Sequence, residues 1–265
     1  MRTPEFPHAA HGSLPLRSFH PCVLIPVYDH ARAIAGVARA VLAHRVHCIL
    51  VDDGSAAQCA GVLDALARAE PQRVMLVRHA TNQGKGAAMV TGFGAAAGAG
   101  YTHVLQIDAD GQHCVTDIPR FLAHARRYPE AVIVGYPVYD ASVPALRLYA
   151  RYLTHLCVWL NTLSVQIKDS MCGFRVYPLV PVMALVKRRS IGRRMNFDTD
   201  IIVRLYWDGV DMVNAPTRVR YPADGVSHFR LLSDNLLITR MHVTHFFGML
   251  RRLPVLLARR WRKLR

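Results

Sequence analysis

Residues 104–113 read VLQIDADGQH. An apolar run of strand type ends in two aspartates, Asp108 and Asp110, one residue apart, followed by Gly111, Gln112 and His113. Two carboxylates this close repel unless a positive charge sits between them. Mg2+ or Mn2+ suits such a pair, because these ions take a few oxygen ligands and share the rest of their shell with substrate phosphates. The plainer alternative is an Asx turn in which the carboxylates cap backbone amides. A second pair, Asp52 and Asp53, ends another apolar run, HCILVDD. Carboxylates at the ends of two strands favour the cation reading.

Around this stretch, short apolar runs alternate with helical patterns. CVLIPV, HCILVDD, RVMLV, HVLQID and AVIVG read as buried strands. AIAGVARAVLAH, AAQCAGVLDALARA and GKGAAMVTGFGAAAGAG read as the helices between them. This alternation predicts an α/β fold with a mostly parallel sheet covered on both faces. Ligands bind such sheets beyond the carboxyl ends of the strands. After Gly135 the pattern changes. RLYARYLTHLCVWLNTL predicts an amphipathic aromatic helix, KDSMCGFR a loop, and FDTDIIVRLYWDG a helix closed by Gly209. VDMVNAP and TRVRYP predict two short final strands, and the chain from Asn235 is helical and apolar until Pro254.

Four further stretches carry chemistry. In VDDGS a strand-end carboxylate can accept from a ribose hydroxyl or base N–H, and Gly54 permits close backbone approach; the alternative is a tight turn. NQGKGAA places Lys85 at a helix start, where amides and the helix dipole favour an anion. It lacks P-loop spacing. Asp198 and Asp200 in NFDTDIIVRL fall in the first turn of a helix, where acids are stabilising on their own account; Asp198 as a general base requires a hydroxyl acceptor. DGVSHFR offers His228 and Arg230 to a diphosphate, or His228 to a metal.

Composition bounds the rest. The 265 residues, 52% apolar, suffice for a substantial core. The six cysteines show no metal-ligand spacing and read as reduced thiols. Residues 1–20 read as a loose leader without signal-peptide features, 21–232 as the catalytic domain and 233–265 as a basic amphipathic tail. No run of eighteen apolar residues suggests a spanning helix. The formal charge is +15, yet glutamate occurs only at Glu5, Glu70 and Glu130, so the aspartate clusters are not solvent decoration. Seven of the last fifteen residues are basic and alternate with leucines and Trp261. This suits an anionic membrane surface better than nucleic acid, and no nucleic-acid partner is expected.

In order, IPVYDH, VDDGS, NQGKGAA, DADGQH, DSMCGFR and FDTDIIVRL resemble the family 2 glycosyltransferases of GT-A fold, over residues 22–230. DADGQH, KDSMCGFR and FDTD are similar to the polyprenyl-phosphate branch, the dolichyl-phosphate mannose and glucose synthases. The resemblance implies a nucleoside-diphosphate sugar donor, Mg2+ or Mn2+, inversion at the anomeric carbon and a lipid-linked acceptor, with the enzyme peripheral on the inner face of the cytoplasmic membrane. It places Pro26, Tyr28, Asp52, Asp53 and Lys85 near the nucleotide. Asp108 and Asp110 match the metal motif, Asp110 as direct ligand and Gln112 assisting. Arg147, Arg151, Asp169, Gly173, Phe174 and Arg175 match the acceptor side, and Asp198 matches the base used with hydroxyl acceptors. Asp200 stands where many relatives carry glutamate, and no membrane hairpin follows. A hydroxyl acceptor, a nucleotidyltransferase and a non-catalytic nucleotide-binding protein are the alternatives. The nucleotidyltransferase would need a glycine-rich basic signature that IPVYDHARAIAG does not supply.

Overall fold

The computed structural model describes residues 18–138, 145–219 and 230–264, with the backbone alone at 145–150 and 262–264. The strands are β1 Pro21–Val27, β2 His47–Asp52, β3 Val74–Arg78, β4 His103–Gln106, β5 Val132–Val138, β6 Arg175–Pro178 and β7 Met212–Arg218. The helices are α1 Ala31–Ala43, α2 Ala57–Ala69, α3 Lys85–Gly98, α4 Ile118–Arg127, α5 Ala145–Thr162, α6 Leu179–Arg188, α7 Phe197–Trp207, α8 Leu231–Leu250 and α9 Leu253–Leu264. The strands form one sheet in the order β3-β2-β1-β4-β6-β5-β7. Every pairing is parallel except those of β6, which runs against both β4 and β5.

Alternation along the strands divides the core in two. Val23, Ile25 and Val27 of β1 face Ile34, Val37 and Val41 of α1, Leu63 of α2 and Phe121 of α4. Cys22 and Leu24 face Met89 and Phe93 of α3, with Ile202 and Leu205 of α7 in the same cluster. Each fully buried side chain of this size contributes roughly 1.5–3 kcal/mol, so both faces are held by apolar burial.

The mostly parallel α/β sheet follows the sequence expectation, and the differences have local causes. One strand, β7, replaces the two expected after Val210. Pro216 stays within it because β7 is the sheet edge, where a missing N–H costs no ladder bond. As expected, the helix through Asn235 ends shortly before Pro254, at Leu250, and Pro254 then occupies the first turn of α9, where proline is tolerated. β6, α4 and α6 have no counterpart among the sequence-predicted elements.

The C-terminal helices depart from a free tail. α8 buries Met241, His245 and Met249, one stripe at four-residue spacing. It docks around Trp207 of α7: the indole lies edge-on to His245, and Arg252 stacks over it. A Cβ at Gly248 would lie 2.7 Å from the Trp207 ring, so glycine permits the close approach. The other faces of α8 leave Leu232, Leu236, Val243 and Phe247 exposed, and α5 exposes Tyr152, Leu153, Leu156 and Leu160.

Candidate active site

The site lies at the carboxyl edge of β1, β2 and β4. Because β6 is antiparallel, its first residue reaches the same edge, with Arg175 paired to Gln106. The segment 169–174 therefore arrives beside Asp108.

The positive charge between the carboxylates comes from Lys85, the first residue of α3. Its Nζ lies 2.7 Å from Asp108 Oδ1 and 2.8 Å from Asp198 Oδ2. Burial works against the ammonium, but the attraction of Asp108 and Asp198 outweighs it and raises the Lys85 pKa. Burial likewise opposes ionisation of Asp108, and Lys85 with His113 overcomes it, holding the carboxyl well below the usual range. Gln106 Nε2 donates to the other Asp198 oxygen at 2.9 Å, and Tyr177 donates to Gln106 Oε1. Arg175 Nη1 donates to the Asp198 backbone carbonyl. Among these groups, Lys85 and Arg175 balance Asp108 and Asp198.

Asp110 is different. Its Oδ1 accepts the Gln112 N–H at 3.0 Å, the Asx-turn contact, and no partner occupies Oδ2 among the described residues. A small polar cavity of about 80 Å³ opens beside Asp108, Gln112, His113, Arg151 and Gly173. Among the described residues no three His, Cys, Asp or Glu side chains converge to hold an ion unaided. Asp110 itself does not line that cavity, but a half-buried carboxylate with a free oxygen, two residues from the cavity-lining Asp108 and Gln112, still fits a hard divalent ion that completes its shell with water and phosphate oxygens. Asp110 would hold that ion, with Asp108 and Gln112 beside it.

On the acceptor side, Arg151 grips Asp169 bidentately, at 2.6 and 2.8 Å, and lines the cavity. Asp169 also accepts the Met171 and Cys172 amides, and His155 Nε2 lies 3.3 Å from it. Burial raises its pKa, but His155 and Arg151 outweigh that and depress it. A Cβ at Gly173 would lie 2.4 Å from Asp108 Oδ2, so only glycine fits between the loop and the acid.

Several residues expected to meet ligands already hold protein partners. Asp52 is buried, taking Arg78 Nε at 2.7 Å and the Ser55 N–H at 2.9 Å. Asp53 is also buried; it accepts the Gln83 and Gly84 amides, with His79 Nδ1 at 2.7 Å. Both carboxylates brace the loops at the ends of β1, β2 and β3. Lys85, expected near the nucleotide, is held between Asp108 and Asp198. Phe174 and Arg175 are fully buried, Phe174 edge-on to Phe121, and neither faces an acceptor. Arg175 Nε and Nη2 find no partner among the described residues.

Pro26 is buried near the end of β1, and Tyr28 follows half-buried at the site edge. Asp200 is not an open acid: it pairs with Arg204 and with His245 of α8, both at 2.6 Å, and accepts the Gly192 N–H. Arg230 is exposed just before α8, its N–H donating to Asp234. The Arg147 side chain and His228 lie outside the described residues. Sequence reading missed Gln106, His155 and His245. A polar Gln106 inside a buried strand was the one available signal.

A mostly parallel α/β sheet with acids gathered at its carboxyl edge is the architecture of the GT-A class. The family model described as Glycosyl transferase family 2 matches residues 22–194, and the chain belongs to that family; it is a glycosyltransferase. It is 27% identical over 218 residues to the polyprenol monophosphomannose synthase of Mycolicibacterium smegmatis, covering 77% of this chain and 79% of that one. It is 31% identical over 176 residues to the undecaprenyl-phosphate 4-deoxy-4-formamido-L-arabinose transferase of Pseudomonas fluorescens, covering 63% of this chain and 50% of that one. Among solved structures, glucosyl-3-phosphoglycerate synthase of Mycobacterium tuberculosis, in complex with Mn2+, UDP and glucosyl-3-phosphoglycerate, superposes with a TM-score of 0.60. Its identity is 15%, with 88% of this chain and 80% of that chain covered. That likeness concerns the fold.

Proposed function

We propose that this glycosyltransferase moves a sugar from a nucleoside-diphosphate donor to a polyprenyl-phosphate acceptor, with inversion. One observation carries the choice of acceptor. Both Asp198 oxygens already accept hydrogen bonds, from Lys85 and Gln106. A hydroxyl proton would have to reach the remaining lone pairs of a buried carboxylate that already serves Lys85 and Gln106. A phosphate acceptor brings its own anionic oxygen and needs no such base. The names of the two curated relatives support the same acceptor class.

In this reading Pro26 and Tyr28 border the nucleotide, and Asp52 and Asp53 hold its loops. Asp110, with Asp108 and Gln112, holds Mg2+ or Mn2+, which when bound offsets the charge on the departing nucleoside diphosphate. Arg151, presented by Asp169 beside the cavity, and Arg147 on the same helix meet the acceptor phosphate. His228 and Arg230 flank the donor diphosphate. The acceptor oxygen attacks the anomeric carbon, the bond to the donor diphosphate breaks, and the nucleoside diphosphate leaves with that electron pair. The exposed apolar residues of α5 and α8, with the arginines of α9, rest on the inner face of the cytoplasmic membrane, where such an acceptor resides.

The test compares Asp110→Ala with Asp198→Asn in one assay, using UDP-glucose and GDP-mannose as donors and undecaprenyl phosphate in mixed vesicles as acceptor. Asp110→Ala should abolish transfer, while Asp198→Asn should retain most of it. A fall of 10²–10⁴-fold in Asp198→Asn, the usual loss on removing a general base, would favour a hydroxyl acceptor instead.

A further inference from the structure

Lys85 has two carboxylates within 2.8 Å and a side chain only 17% exposed. The origin of its stem is fixed on both sides. The Ala87 N–H donates to the Arg193 carbonyl, and a Cβ at Gly86 would collide with the Gly192 carbonyl at 2.0 Å. To reach a nucleotide, the ammonium would have to abandon the buried Asp198 and the quarter-exposed Asp108 together, leaving only Gln106 on the one carboxylate and His113 at 3.4 Å from the other, which costs more than an exposed lysine gains from a phosphate.

We infer that Lys85 is a built-in counter-cation, a positioning residue that ties the metal-motif acid Asp108 to Asp198 within the protein. The two aspartates of the motif then differ in role. Asp108 is neutralised from inside, and Asp110 is the acid left to an arriving cation. The distance between the donor-side and acceptor-side acids is set by one ammonium group. The inference deepens the proposed sugar transfer and rests on it only in naming Asp108 and Asp110 as the metal motif.

The test uses the full chain without nucleotide. Lys85→Met should lower the urea midpoint, and adding Asp108→Asn should recover part of that loss, because the stranded acid is gone. Mn2+ alone, followed by the resonance of the free ion, should bind at least tenfold more tightly to Lys85→Met than to the parent, while Lys85→Arg keeps the parent affinity. A Lys85→Met protein with unchanged midpoint and Mn2+ affinity, but weakened UDP and GDP binding, would make Lys85 a nucleotide contact and overturn the inference. If Lys85→Met does not fold, rescue by Asp108→Asn supports the inference, and absence of rescue overturns it. If Mn2+ binds no variant even with UDP or GDP present, the metal reading is lost, while the urea midpoints still decide the role of Lys85.

Discussion

One carboxylate, Asp169, gathers Arg151, His155 and two backbone amides at the mouth of the cavity. Its pKa is depressed in the folded chain, so it contributes stability that is complete above the unfolded carboxylate value, about 3.9, and is lost as pH falls towards the folded value. Asp169→Asn leaves Arg151 without its ion pair and should cost about 3 kcal/mol at pH 7. Urea midpoints of parent and variant should converge below about pH 4; a gap that ignores pH would remove the ion pair from the account. At this scale sequence reading located the acids but not their partners. Lys85 and Asp198 lie 113 positions apart, and no local spacing announces that one holds the other. Arg175 was placed on the acceptor side by the family resemblance alone, and nothing in its local sequence announces its burial, which is rare for arginine. It is buried here since the antiparallel register of β6 sets it beside Gln106 under Asp198.

Among the elements, the first five strands were legible because each centres on a short apolar run bounded by helical patterns. β6 was not. Its four residues, Arg175 to Pro178, show no alternation and include a charge. α6 hid behind Pro181, which reads as a break although it lies in the first turn. α4 went unread although Ile118, Phe121 and Ala125 fall at i, i+3 and i+7, the spacing of one buried helix face. The docking of α8 offers a test. Gly248→Leu drives a side chain into the Trp207 ring and should cost about 1–3 kcal/mol. In a background with Trp159→Phe and Trp261→Phe, emission from Trp207 should shift to the red as α8 lifts away. Unchanged emission would mean that α8 does not need that contact.

Over the whole molecule, charge and exposed apolar surface point the same way. Among the described residues no helix is long and apolar enough to cross a membrane. Leu232 is 90% exposed and Trp261 67%, in a chain of formal charge +15. Vesicles containing anionic lipid should therefore bind the full chain, with affinity falling as salt rises. The double variant Leu156→Glu/Leu236→Glu should weaken that binding while the urea midpoint stays near that of the parent. Equal binding to neutral vesicles, or indifference of the double variant, would place the contact elsewhere. The sequence expectation confined the membrane contact to the tail. The structure shows a second exposed apolar face on α5, which could not be told from a core-facing one by periodicity alone.

The reversed strand β6 also makes a seam. Everything N-terminal to it reaches the shared edge by strand ends, whereas the 169–174 loop reaches it by a strand beginning. Lengthening or recomposing that loop leaves the register of β1 to β4 untouched. If the proposed roles hold, transplanting that loop between homologues should change the preferred recipient while donor binding stays that of the parent.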